Sequence, residues 1–284
     1  MKSILLPTDF SKNSINAIYY AMNLLENEHC QFYILNVQTA SSFISDDLMT
    51  MSSSATIYQT LIETAKKSIK NLIKAVEAKF KNEKHTFYSI VDYDNFIDGI
   101  NQLSESKDID LIIMGTKGAT GAQKVVFGSN TARIMQRCKT PVLAIPNGCS
   151  FTSLDKIVFI SNFSTLYNNN ELQPLIDIAK RHGSKIDILH LLDKDGLSQN
   201  QEMNKAFLDS CLSKVAHEFI DLKNEKIFKR VQDYIVNNDI KMLCMMNKKH
   251  SFLERFFARQ LVETFAFKID IPFLVIENTA KNYC

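Results

Sequence analysis

A doubly wound α/β architecture in two tandem copies is the fold class this sequence predicts. Three observations carry it. Strand and helix signals alternate through the first half of the chain, the second half repeats the segment order of the first, and glycines cluster directly after one of the strands. Alternation of this kind implies βαβ units and a parallel sheet covered on both faces. In such sheets ligands bind beyond the C-terminal ends of the strands, where strand order reverses.

The elements follow in order. Ser3–Thr8 is a short apolar strand that runs into Asp9. Ser11 is placed to cap a helix whose apolar positions Ile15, Ile18, Tyr19, Met22 and Leu25 recur at helical spacing. Phe32–Val37 reads as a second strand, residues 39–56 as a long Ser- and Met-rich loop, and Ile57 to Phe80 as a second helix. Thr86–Val91 is a third strand, Phe96 to Leu103 a third helix and Leu111–Met114 a fourth strand. After the glycine cluster, residues 129–137 form a fourth helix, and Val142–Ile145 follows Pro141 as a fifth strand.

The second half repeats this pattern. Asp108–Met114 aligns with Asp239–Met245 at an offset of 131, and the same offset carries Pro141 onto Pro272 and Val142–Ile145 onto Phe273–Ile276. Upstream, Asp9-Phe10-Ser11 matches Asn162-Phe163-Ser164, and Ile34–Val37 matches Ile188–Leu191. Five segments in one order argue a tandem duplication. The expected domains are residues 1–148 and 153–279, consistent with a 284-residue chain at roughly 100–200 residues per domain.

Composition narrows the function. Hydrophobic residues make up 45% and charged residues 23%, which excludes disorder for most of the chain, and a net charge of +2 carries no nucleic-acid footprint. Charges interrupt every apolar run well short of the ~18 residues of a membrane span. The start does not read as a signal peptide, so the expectation is a soluble cytoplasmic protein. The six cysteines, Cys30, Cys138, Cys149, Cys211, Cys244 and Cys284, form no CxxC pair and read as reduced, mostly buried thiols. The histidines are equally scattered, so neither a zinc site nor a Cys–His nucleophile is argued.

Four of the eight glycines, Gly115, Gly118, Gly121 and Gly128, fall within fourteen residues. Glycine permits tight turns and close backbone approach. Gly128-Ser129 opens a helix, where unpaired N–H groups and the positive dipole end favour an anion. Gly115-x2-Gly118-x9-Gly128-Ser129 therefore reads as a two-lipped phosphate cradle. It is neither a Walker motif nor GxGxxG.

This segment resembles the nucleotide-binding members of the universal stress protein family, whose motif is G-x2-G-x9-G-(S/T). The opening Ile4–Ser11 and the Pro141–Pro146 segment are similar to that family too, and the likeness extends over both halves. The resemblance implies two five-stranded parallel sheets of order 3-2-1-4-5 that pack through their fifth strands as a pseudo-dimer, with a further homodimer left open. It also implies ATP, or another adenine nucleotide, with Mg2+ carried by the nucleotide phosphates. Pro7, Thr8 and Asp9 would border the nucleotide, Val37 and Met114 would flank adenine, and Gly115, Gly118, Gly128, Ser129 and Asn130 would contact phosphates.

Alternatives stand beside several of these roles. The alternative for Asp9 is simply to cap the helix starting near Asn13, and Lys117 and Lys124 either screen phosphate or are solvated. In the second half the motif positions become Met246, Lys249, Arg259 and Gln260, and Asp9 becomes Asn162, so one nucleotide per chain is expected. Lys248, Lys249, His250 and Arg259 read as a solvated face in preference to another anion site. No catalytic residue and no protein-held metal are assigned. The overall expectation is a nucleotide-dependent stress regulator with an unidentified protein partner. A slow ATPase or nucleotidyl-transfer enzyme, or a scaffold that binds nothing, are the alternatives.

Overall fold

Val142, Leu143 and Ala144 lie at the centre of the molecule, although the sequence places them on the last strand of its first repeat. The computed structural model describes residues 1–38, 54–93, 95–116, 129–164, 166–192, 196–223, 227–247 and 270–278. In the first half the elements are β1 (Lys2–Pro7), α1 (Lys12–Leu24), β2 (Cys30–Val37), α2 (Ser54–Phe80), β3 (His85–Asp92), α3 (Phe96–Ser106), β4 (Leu111–Gly115), α4 (Ser129–Arg137) and β5 (Val142–Ile145). The second half contributes β6 (Lys156–Ser161), α5 (Asn169–His182), β7 (Lys185–Leu192), α6 (Gln199–Leu212), β8 (His217–Lys223), α7 (Ile227–Asn237), β9 (Met242–Asn247) and β10 (Phe273–Glu277).

The strands form one ten-stranded sheet of order β3-β2-β1-β4-β5-β10-β9-β6-β7-β8. Each half has the expected 3-2-1-4-5 order, but the two sheets are fused into one. All neighbours are parallel except β5 and β10, which pair antiparallel with Leu143 opposite Leu274, Val142 opposite Val275 and Ala144 opposite Phe273. These positions are related by the repeat offset of 131, so the pairing is isologous and an approximate two-fold passes by Leu143 and Leu274. The apolar strands that would otherwise be sheet edges thus satisfy each other. Around this seam Lys2 Nζ donates to Asp177 at 2.6 Å and Arg181 Nε to Glu28 at 2.8 Å. Phe151, between the repeats, packs against Tyr20 on one side and His182 on the other.

Local chemistry explains the element boundaries. Ser11 caps α1 by accepting from Ser14 N at 3.2 Å, and Asn95 caps α3 by accepting from Ile97 N at 3.0 Å. Helix α5 ends at Gly183, which takes the left-handed conformation such endings favour (φ 64°). The repeat extends to unusual backbone. Phe10 and Phe163 both have positive φ (61° and 55°), as do Asp108 and Asp239 (47° and 55°). One difference from the sequence reading concerns residues 39–56. Helix α2 already begins at Ser54, inside the expected loop, and residues 39–53 lie outside the described residues.

The sheet is packed on both faces. Ile4, Leu6, Ile34 and Ile113 bury against α1 and α2, while Leu5, Leu35, Ile112 and Met114 bury against Ile97 and Ile100 of α3 and Ile134 and Met135 of α4. Burial pushes the Cys30 thiol up to about 11, and burial with the nearby Glu277 charge pushes Cys138 up to about 12. Neither is a thiolate nucleophile at neutral pH.

Glu277, at the end of β10, provides a pH prediction. Burial raises its carboxyl above the ordinary glutamate value, Lys139 opposes this and Glu171 adds to it. A folded value above the unfolded one means that the stabilising contribution is complete below the unfolded value of about 4.3. It is lost as pH rises through the folded value. Glu277→Gln is therefore expected to be more stable than wild type at neutral pH, with the gap closing toward pH 4. Urea titrations across that range check it, and a pH-independent gap would contradict the assignment.

Candidate functional site: the crevice at the strand ends of the first half

The turn after β1 is built almost entirely from short polar side chains. Thr8 Oγ1 accepts from Phe10 N at 3.0 Å and shares a hydrogen bond with Ser14 Oγ at 2.9 Å, both side chains being buried. Asp9 is exposed, and its Oδ1 accepts from Ser11 N at 3.0 Å. The helix cap is thus Ser11, and Asp9 orders the turn before it. Asn36 Nδ2 donates to Thr8 O at 2.7 Å, tying the end of β2 to the same turn, and Gln38 Nε2 donates to Asn36 Oδ1.

On the other side of β1, Thr131 Oγ1 donates to Gly115 O at 2.9 Å and so fastens the first turn of α4 to the end of β4. Pro7 follows the strand register onto the face that holds Met114, and Val37 packs against that apolar layer. Helix α4 carries no acidic residue in its first turn, whereas the Asp9 carboxylate stands just ahead of the positive end of α1.

Pro7, Thr8, Asp9, Val37, Met114, Gly115 and Asn130 accordingly all stand at the C-terminal end of the sheet or the start of α4. Ser129 is the first residue of α4. Gly118, Gly128, Lys117 and Lys124 lie outside the described residues, as do Lys248, Lys249, His250, Arg259 and Gln260 of the second half.

Gly115 also has a role in packing. A Cβ there would come within 2.6 Å of Asn13 Nδ2 and 3.0 Å of Asn13 O, so this glycine is required by the packing of α1 against β4. A Gly115→Val variant therefore disturbs the fold as well as any ligand contact. Sequence reasoning also missed Ser14, Asn36 and Thr131. A polar Asn36 inside the apolar run of β2 was the available signal, because a buried amide needs a partner.

The equivalent strand ends of the second half carry bulkier side chains. Ser161 takes the place of Thr8 and again accepts from the turn, with Phe163 N at 2.9 Å, while Asn162 Oδ1 accepts from Ser164 N at 3.1 Å. At the position of Ser14 stands Tyr167, whose hydroxyl pairs with Ser161 and whose ring is buried with Met246. Phe163 stacks on His190 at 4.5 Å, leaving that histidine only 2% exposed. Gln201 and Asn204 of α6 donate to the carbonyls of Asn162 and Phe163 at 2.8 and 2.7 Å. Helix α5 starts at Asn169, about a turn later than α1 does in the first repeat, which makes room for Tyr167.

A doubly wound sheet built from two repeats, each of strand order 3-2-1-4-5, defines the class: a two-repeat α/β protein. The chain belongs to the universal stress protein family, whose model matches residues 1–146 of the 284. A universal stress protein of Methanocaldococcus jannaschii is 27% identical over 149 residues, covering 51% of this chain and 81% of the relative. Among solved structures, a universal stress protein from Archaeoglobus fulgidus has a TM-score of 0.64 at 17% identity and covers 97% of this chain and 98% of its own. A functionally unknown protein from Pseudomonas aeruginosa has a TM-score of 0.56 at 10% identity, over 98% of this chain and 93% of its own. At those identities the structural likeness shows the shared fold. No described helix is long and apolar enough to cross a membrane.

Proposed function

We propose that residues 1–148 form a domain that binds ATP or a related adenine nucleotide. In this reading residues 153–279 form a second domain that binds none, and the chain acts as a nucleotide-dependent regulator in the cytoplasm. The contrast between the two crevices carries the reading. Where the first repeat has Thr8 and Ser14, the second has Ser161 and Tyr167, with Met246 buried beside them. Pro7, Val37 and Met114 supply an apolar surface suited to a base, and the acid-free start of α4 suits phosphate.

Mg2+ fits as a cation carried on those phosphates. Among the described residues no three His, Cys, Asp or Glu side chains gather as a metal site. Binding in preference to catalysis is supported by the groups that line the described crevice: Asp9 is engaged with Ser11, and Thr8 is taken up by the turn.

Calorimetry of the full chain with ATP and Mg2+ is expected to give one site per chain. Gly128→Val is expected to abolish it, because a β-branched side chain would stand where the motif brings backbone to phosphate. A stoichiometry of two, or unchanged affinity in that variant, overturns the reading. Multiple-turnover phosphate release would replace the regulator with an enzyme.

A further inference from the structure

Helix α4 is held at both ends, and by different halves of the chain. At its start Thr131 donates to Gly115 O at 2.9 Å, within the first half. At its end, Asn247 on β9 of the second half donates from Nδ2 to Met135 O at 2.9 Å and to Gln136 O at 3.3 Å. The terminal carbonyls of a helix lack partners inside it and carry its negative dipole end, so an amide donor is the matching group. In the repeat alignment Asn247 stands at the position of Thr116, one residue past the motif's first glycine position. The second half has therefore lost the glycine at Met246 and carries at the next residue a side chain that reaches across the seam.

Helix α4 is well suited to carry a displacement from one end to the other. Its nine residues span only about 14 Å at 1.5 Å per residue. Ile134 and Met135 are fully buried against the sheet, so the helix moves as a unit or not at all. Moving its C-terminal end shifts Ser129 and Asn130 at the other end, where the proposed nucleotide phosphates would sit. Next to Asn247 in the sheet register is Glu277, whose Oε2 is buried with no hydrogen-bond partner among the described residues. The second half thus presents both a fixed donor and a confined carboxyl at its strand ends on this side of the seam.

We infer that Asn247 is a positioning residue through which the second half sets the nucleotide affinity of the first. The inference rests on the nucleotide reading above and adds its regulation: the second half acts on the first through the far end of α4. Coupling of this kind is reciprocal, so nucleotide on the first half should in turn steady β9 and β10.

The test uses the full chain and two readouts. Asn247→Asp keeps the shape but replaces the donor by an acceptor facing two carbonyls. It is expected to weaken ATP binding about fivefold or more, with Asn247→Ala intermediate. Lys2→Met breaks a seam contact remote from α4 and is expected to leave affinity unchanged. By hydrogen exchange, ATP is expected to slow the amides of β9 and β10 in wild type and not in Asn247→Asp, an effect that loss of stability alone does not produce. If wild type binds no nucleotide, the nucleotide reading falls and this inference with it. If wild type and Asn247→Asp bind equally, or ATP protects β9 equally in both, this inference alone is overturned.

Discussion

Leu143→Ala is expected to lower the stability of the whole chain by about 2–5 kcal/mol, as for other fully buried leucines. Leu143 is 0% exposed and faces Leu274 at the point where the two halves meet. Leu143→Asp should go further and prevent folding, since an unpaired charge there has neither water nor a partner. Val236→Ala, at a residue 72% exposed, is the control and should stay within about 0.5 kcal/mol. Urea unfolding followed by far-UV dichroism measures all three. A loss below about 1 kcal/mol for Leu143→Ala would mean that the seam does not hold the halves together.

Gly115→Val is expected to cost about 1–3 kcal/mol through overpacking, whether or not a nucleotide is present. The reason is Asn13, whose Nδ2, Cγ and backbone O lie 2.6, 2.9 and 3.0 Å from the position of a Cβ. Asn13→Ala removes the first two of these atoms and leaves the third. In a double-mutant cycle the Gly115→Ala and Asn13→Ala losses should therefore fall short of additivity by about 0.5 kcal/mol or more. Strict additivity would show that the two residues do not meet. Because Gly115 holds the fold, Gly128→Val is the cleaner probe of ligand contact.

Much of this molecule was legible in the sequence because its signals are local. Apolar runs of strand length, Ser11 ahead of a helical pattern and Pro141 ahead of Val142–Ile145 specify elements that rest on nearby residues. The repeat was equally plain, down to the residues Phe10 and Phe163 that share a left-handed backbone. The candidate crevice was legible in part, since strand ends follow from topology. Asn36 and Thr131 were not, because their roles depend on partners 28 and 16 residues away in sequence.

The sequence by itself determined the α/β class, the two repeats and the asymmetry of the glycine motif, all of which depend on periodicity and residue type. Tertiary structure decided the rest. It fused two sheets into one, because Leu143 and Leu274 bury each other only when the halves meet antiparallel. It gave Gly115 a packing role that the sequence did not show, because Asn13 arrives from another element. It also set Tyr167 against Ser161 and reached Asn247 across to α4. Such contacts join residues far apart in the chain, and no local pattern encodes the distance that folding removes.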